Sequence, residues 1–569
     1  MSISSIINTA GSALSVAQTR IALSTTNIAN VETPGYTKKT ADVTTHTVGG
    51  VGTGVQVIGT GSDVDDKLHQ SVVKAISTSS YDAVISAYLG VVSTAFGTTA
   101  DGGTLTNALE DLQTALSDVV ADPADTGAAA DLADALDDWA GAVNDASASV
   151  QSSRTSADQA IAEDVESANG LLHQIDDLND QITRAKAMGT STSDLEDQRR
   201  AALEDLGQYL DVTTFTTAAG ATQIYTSSGQ ALLTSSVHEL SYAASGTLSA
   251  DSVYKTDGSG GIAGVTIDGK DVTTSLKGGS IGAEIALRDD TLPGVQAELD
   301  ALSEGVKAAV NAAANAATPV PPPNTLTGTA SVAATDAVTG AGTLRIVLTD
   351  ADGTVTASTD VDLSTCTTMQ DVLDALNATA GISASLDADG HLVVAADDAD
   401  AGVILTGDGT LDGTGFNSAM GMYDILSGDA GSLTARTDGI AVASVASTTV
   451  GEAAYAADDT TALQAIHTAL DSNTSFGAAG NLAATKTGAA GYAAQIIDDL
   501  ADRADAASTT AKTTSATASS LSTSFSNTYG VNVDEETALL TTYQQDYEAA
   551  AQILSTAQDM WDALMAMIN

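Results

Sequence analysis

The sequence predicts an α+β multidomain fold with nested, discontinuous domains: a coiled-coil-like stem from the N- and C-terminal helices, a mainly helical layer next to it, and a β-rich outer domain from the middle of the chain. Three observations carry this prediction. Apolar residues recur at alternating steps of four and three at both ends. β-branched runs broken by Asp-Gly and Gly/Ser turns crowd the middle. Four of the seven prolines, Pro319, Pro321, Pro322 and Pro323, fall within five positions, a stiff stretch that reads as a domain boundary.

At the N-terminus the seam is Ile3, Ile7, Ala10, Leu14, Ala17, Ile21, Ser24, Ile28 and Val31, with Ser24 alone out of character. At the C-terminus it is Leu540, Tyr543, Tyr547, Ala550, Leu554, Ala557, Trp561, Leu564 and Ile568. Such helices bury one stripe against partner helices. Alone in water they are marginal, with a nucleation parameter of about 0.001–0.004. Both termini are therefore expected to be poorly ordered in the monomer and to order on each other and on neighbouring subunits.

The first helix runs into "NIANVETPGYTKKT", residues 27–40. Pro34 forbids continuation of a helix and Gly35 permits a turn that most residues resist. Asn27 and Asn30 can hydrogen-bond local backbone as the helix ends. Helical patterns then cover 63–96, 105–120 and 128–182. Residues 173–212 read as helix, Gly-centred loop, helix and the start of a strand, with Asp194 as N-cap of the second helix and Asp197 in its first turn. β-branched runs at about 211–275 read as a small β insertion. A Gly-rich turn then enters a long helix interrupted near Pro293. Past the prolines, hairpins turn on Asp350-Ala351-Asp352-Gly353 and Asp387-Ala388-Asp389-Gly390, with a short helix between them. Helical pattern resumes near Ala453. The expected domains are 1–35 with 533–569 (stem), 36–317 with 436–532 (helical), 318–325 (linker) and 326–435 (outer).

Composition narrows the function. At 569 residues the chain exceeds one core. Aromatic residues are only 4%, so alanine does much of the packing, which suits close helices better than ring-lined pockets. The formal charge of −53 repels nucleic acid and anionic membranes and fits a saline exterior. The one cysteine, Cys366, allows no internal disulfide and reads as a small buried filler. No apolar run is long enough to span a bilayer, and no secretory signal is expected. This leaves a cytoplasmic protein or one exported without a cleaved signal.

No catalytic, cofactor-binding or metal site is expected. G-x-S-x-G does occur, Gly278-Gly279-Ser280-Ile281-Gly282, but no βα alternation supports a hydrolase sheet around it. The six histidines, His46, His69, His173, His238, His391 and His467, are scattered. The two Asp-Gly turns lack the closing acidic residue of a calcium loop. Pairs such as Asp137-Asp138 and Asp176-Asp177 lie on predicted helices and are expected to face solvent.

An N-terminal heptad segment running into "NIAN…TPGY", matched by a C-terminal end segment carrying Glu535, Glu536, Gln544, Tyr547 and Ala550 to Leu554, resembles the axial proteins of the bacterial flagellum, the rod, hook and hook-associated proteins. In that family Asn27, Asn30, Pro34, Gly35 and Tyr36 form the signature turn. The stretches 173–212 and 276–315 resemble the hook-associated members of the hook–filament junction. The strand–helix–hairpin pattern past the prolines resembles a β-rich module in the outer domains of other axial proteins. The resemblance implies a structural subunit that forms a ring with copies of itself, between the hook protein and a second junction protein or flagellin. Its assembly interface would include Ile3, Ile7, Leu14, Ile21, Ile28, Leu540, Tyr543, Tyr547, Leu554, Trp561, Leu564 and Ile568. The resemblance also implies export through the flagellar type III pathway, with a cytoplasmic chaperone on residues 540–568. The alternatives are a hook or rod protein, and an enzyme carried on a flagellar stem, which would need a catalytic group such as His391 or Cys366 in the outer domain.

Overall fold

A computed structural model describes residues 2–48, 51–97, 104–123, 125–436, 440–456, 458–471 and 474–568. The first helix, α1 (Ile3–Ala29), starts on the Ser2 hydroxyl, which accepts from the Ser5 amide. It ends at Asn30, ahead of Gly35 at φ +74°. An antiparallel hairpin follows, β1 (Thr40–Val48) and β2 (Val51–Gly61), with register irregularities after Asp42 and His46. It lies back along α1, where the Val55 amide donates to Ser12 Oγ at 3.2 Å.

The helical layer is built from α2 (Asp66–Phe96), α3 (Thr104–Ala121), α4 (Thr126–Met188) and α5 (Ser193–Tyr209). α4 has 63 residues, about 95 Å of continuous helix at 1.5 Å per residue. Gly189, left-handed at φ +70°, ends it. The N-cap of α5 is Thr192, not the expected Asp194, which sits in the first turn beside the helix dipole instead.

Short strands between Val212 and Asp271, antiparallel except for the parallel pair Val253–Tyr254 and Gly261–Ile262, make the β insertion, which packs on α4 and α5 through Ile224, Leu232, Leu233 and Ile267. The chain then enters α6 (Gly279–Ala286) and α7 (Leu292–Ala314). A π-helical turn, Leu287–Thr291, joins the two where a break near Pro293 was expected.

The outer domain holds two larger three-stranded antiparallel sheets and a small third one, Gly340–Ala341 with Thr410–Leu411 and Thr414–Gly415. Of the larger two, one has Thr343–Thr349 between Val355–Asp362 and Gly402–Gly407; the other has His391–Ala396 between Thr325–Ser331 and Ile382–Leu386. α8 (Met369–Asn377) opens with a reciprocal cap between Thr368 and Asp371 and buries Met369, Val372 and Leu376 in the domain core. Cys366, 4% exposed, is in the same core. A single turn and a half, α9 (Phe416–Met420), closes it.

The proline run is packed against the returning chain. Thr318–Pro319 pairs with Val442–Ala443, and the Val403 amide donates to the Pro323 carbonyl at 2.8 Å. Residues 445–455 still bridge to the outer sheet, so helix returns only at α10 (Thr461–Asp471), later than the pattern near Ala453 predicts. α11 (Ala489–Tyr529) lies along α2, and α12 (Val533–Ile568) completes the chain beside α1.

The main core gathers α3, α4, α7, α10 and α11 around Trp139, Leu299, Ile466 and Ile496. One buried feature of this layer is acidic. Glu284 on α6, 4% exposed, faces Asp164 on α4, whose carboxylate accepts from Ser280 Oγ. Burial, then Asp164 and Glu163, push the Glu284 carboxyl up to about 9. Burial, followed by Glu284 and Asp164, also raises the nearby Tyr88 on α2. The folded chain thus keeps a proton on Glu284 that the unfolded chain releases in the ordinary carboxylate range. Stability is therefore lost as pH rises from there towards 9. E284Q removes the titrating group, so its advantage over the parent is expected to grow across pH 6–9 by at most about 1.4 kcal/mol per pH unit. Denaturant melts of both proteins at four pH values check this; a constant difference refutes it.

Candidate assembly stem and its joint

α1 and α12 run antiparallel. The Ser24 hydroxyl, 2% exposed, donates to Glu536 Oε2 at 2.6 Å, and the Arg20 guanidinium lies 5.3 Å over the Tyr543 ring. Small residues let the backbones approach: Ala10, Ala17, Ala550 and Ala557 are buried. Around them Ile3, Ile7, Leu14, Ile21 and Ile28 on α1, and Leu540, Tyr543, Tyr547 and Leu554 on α12, are half-buried. Ser24 keeps its place in the apolar seam because its hydroxyl satisfies the buried carboxylate of Glu536. Trp561 and Leu564 are 43% and 41% exposed, and Val31 is exposed. The side chain of Ile568 lies outside the described residues.

The signature turn is held by its own side chains. Asn27, 1% exposed, closes the loop by accepting from the Lys39 amide and the Tyr36 hydroxyl and donating to the Lys39 carbonyl, each at 3.0 Å. Asn30 donates to the Thr26 carbonyl and accepts from Thr33 Oγ1. Pro34 and Gly35 form the exposed tip. Burial, helped by Asp194, Asp197 and Glu536, pushes the Tyr36 phenol up to about 12, so it remains a donor at neutral pH.

Beyond the tip, alternate residues tie the stem to two different elements. Thr37 gives Asp197 both its amide, at 3.0 Å, and its hydroxyl, at 2.7 Å. Lys39 Nζ bonds Asp197 and the Ser193 carbonyl, and Arg200 holds the other oxygen of Asp197. Lys38 faces the opposite way. Its amide donates to the Tyr529 carbonyl at 2.8 Å and its ammonium pairs with Glu535 at 2.9 Å and Glu536 at 3.5 Å. Burial would lower the Lys38 ammonium, but its bond to Glu535 prevails and raises it. One extended segment thus fastens α1 to α5 on one side and to the α11–α12 corner on the other.

Ser280 donates to Asp164, with no histidine in that bond, and Gly279 at φ +67° packs where a Cβ would strike the Tyr209 carbonyl. Asp387, Asp389 and His391 lie within 4.8 Å of one another at a hairpin turn, where Asp387 already accepts from the Asp389 and His391 amides. No helix among the described residues is long and apolar enough to cross a membrane.

Four family models match in chain order. The flagella basal body rod protein model covers residues 7–37, the FlgK helical-domain model 91–320, the flagellin hook IN motif 343–398, and the C-terminal model of the basal body rod FlgEFG proteins 523–567. Residues 91–320 are thus similar to the FlgK helical domain, between terminal segments similar to the rod-protein models. A curated relative, flagellar hook-associated protein 1 of Escherichia coli (strain K12), is 26% identical over 237 residues, which is 40% of this chain. The match spans 43% of that relative's length. The solved structure of the flagellar hook junction protein FlgK from Burkholderia pseudomallei has 14% sequence identity and a TM-score of 0.49, covering 80% of this chain and 99% of that one. The FlgK helical-domain match takes in α3 to α7, the layer that Lys39, Asp197 and Arg200 tie to the stem.

The residues named from the sequence for the stem lie on α1 and α12, and those named for the turn lie at the end of α1 and the stretch that follows it. Sequence reasoning did not anticipate the β1–β2 hairpin along α1 or the role of Asp197 as the anchor of the turn. The hairpin had a legible signal, alternation through "ADVTTHTV" and "VQVIG". The anchor had none, because Asp197 is one acidic residue among 73.

Proposed function

We propose that this chain is a structural subunit of the bacterial flagellum that joins hook to filament by packing of its terminal helices, and that it is not an enzyme. The observation that carries this reading is that both termini form one antiparallel stem, bolted through the signature turn to a helical layer of the FlgK type. The name of the curated relative supports a hook-associated place in the flagellum. Its neighbours in the axial structure would be copies of itself, the hook protein on one side, and a second junction protein or flagellin on the other. Export would follow the flagellar type III route, with a chaperone holding residues 540–568 until then. The far end of α12, exposed and apolar, is the part of the stem left for neighbouring helices to order.

Electron microscopy of cells lacking the gene, beside an assay of flagellin in the medium, tests the assignment. Bare hooks with shed flagellin support it, absent hooks move the protein down to hook or rod, and intact filaments overturn it. Ile21→Asp or Leu554→Asp places a charge in the half-buried stem seam. Each is expected to abolish incorporation while the circular dichroism melt of the helical body is unchanged. Normal incorporation of both variants would exclude the seam as the joining surface.

A further inference from the structure

Among the described residues five carboxylate side chains are buried: Asp158, Asp197, Glu284, Glu298 and Glu536. Four of them lie within 4.0 Å of a cation of the protein: Asp158 of Arg288, Asp197 of Lys39 and Arg200, Glu298 of Arg503, and Glu536 of Lys38. Glu284 departs from this rule. It is 4% exposed, forms no ion pair among the described residues, and hydrogen-bonds a second carboxyl group, that of Asp164 across the α4–α6 contact.

Three oxygen-bearing side chains meet at this point. Ser280 Oγ donates to Asp164 Oδ2, and Glu284 Oε2, sealed from solvent, meets no hydrogen-bond donor among the described residues. The other titratable groups facing the pair are Glu163, exposed on α4, and Tyr88, half-buried on α2, and neither is a cation. A proton on Glu284 leaves the charge of Asp164 uncompensated. A divalent cation between the two carboxylates leaves no net charge there, which is what the other buried carboxylates obtain from Arg and Lys. The donors are all hard oxygens, which suit Mg²⁺, Mn²⁺ or Ca²⁺ and not a thiolate- or imidazole-seeking metal. Two carboxylates and a hydroxyl are too few for Ca²⁺, whereas Mg²⁺ and Mn²⁺ sites are commonly completed by water. Asp164 is half-buried, so water can reach the cluster from its side.

We propose that Glu284, Asp164 and Ser280 form a binding site for a hard divalent cation of the Mg²⁺ or Mn²⁺ kind, bridging α4 to α6. The ion enters as the Glu284 carboxyl gives up its proton, so one proton is released for each ion bound and binding tightens as pH rises. Asp164 and Ser280 are 116 positions apart, so the bound ion fastens two distant segments and adds stability that grows with its concentration.

Calorimetric titration of Mn²⁺ into the full-length chain, freed of metal by a chelator, tests the site. The parent is expected to bind one Mn²⁺ that E284Q binds at least tenfold more weakly. Its affinity should rise about tenfold per pH unit from pH 6 to pH 8, and the buffer dependence of the heat should show one proton released. Asp164→Asn, a second substitution of unchanged shape, is expected to weaken binding as E284Q does, so the test survives if one variant fails to fold. A double variant of the exposed pair, Asp137→Asn with Asp138→Asn, is expected to bind as the parent does. Equal binding by the parent, E284Q and Asp164→Asn would leave the proton as the sole occupant of the pair and overturn the site. An equal loss in the Asp137→Asn, Asp138→Asn variant, or binding without proton release, would mean diffuse attraction to an acidic surface and overturn it as well.

Discussion

Asp197→Ala is expected to cost about 3–5 kcal/mol of stability, because it strands a buried cation. The Lys39 and Asp197 side chains are 4% and 9% exposed, and Asp197 also accepts from the Thr37 amide and hydroxyl and from Arg200. Removing the carboxylate leaves the Lys39 ammonium with the Ser193 carbonyl, the Thr37 hydroxyl at 3.5 Å, the Tyr36 ring and the more distant, exposed Asp194 at 3.7 Å, none of them a buried counter-charge. The Thr37 amide is left with no acceptor. The loss should appear in denaturant unfolding and as faster hydrogen exchange over residues 36–40. The stem would then no longer be held at a set angle to α5, so incorporation should fall as well. A double variant, Asp197→Leu with Lys39→Met, keeps the volume and removes both charges. It should recover most of the stability, since the penalty lies in the unpaired charge. A cost below about 1 kcal/mol for Asp197→Ala, the range of an exposed pair, would show that the cluster does not hold the joint.

The second large effect is expected at Asp158. This carboxylate on α4 and the Arg288 guanidinium, at the π-helical turn before α7, are both fully buried and 3.2 Å apart. Asp158 also accepts from the Tyr242 hydroxyl and the Ser245 amide, and Arg288 donates to Asp289. Arg154 completes the group, donating to the Arg288, Ser249 and Ser252 carbonyls. Two elements far apart in the chain, the β insertion and the α6–α7 turn, are thereby fixed to α4. Asp158→Ala is expected to cost about 3–5 kcal/mol and to release residues 242–254 first in hydrogen exchange. Arg288→Met in the same chain should return part of that loss, and a double-mutant cycle measures the coupling. Additive losses would mean that the two groups act independently and that shape alone positions the insertion.

The stem and the turn were legible in the sequence because both are local. A repeat of four and three puts Ile3, Ile7, Leu14 and Ile21 on one helical face whatever lies beside them, and Pro34-Gly35 ends a helix by its own stereochemistry. The capped helix α8 and the Asp-Gly hairpins of the outer domain were readable for the same reason. Ser24 read as a flaw in the seam; its partner Glu536 lies 512 positions away and explains it. Lys39 and Asp197, 158 apart, could not be paired in advance, because no local pattern separates Asp197 from the other acidic residues. The placement of β1–β2 along α1 also came only from the tertiary structure. The reason is physical: backbone periodicity and turn stereochemistry act over a few residues and are written in order along the chain. Burial of a charge, the register of two antiparallel helices and the shape of the space between them depend on which distant segments the folded core brings into contact.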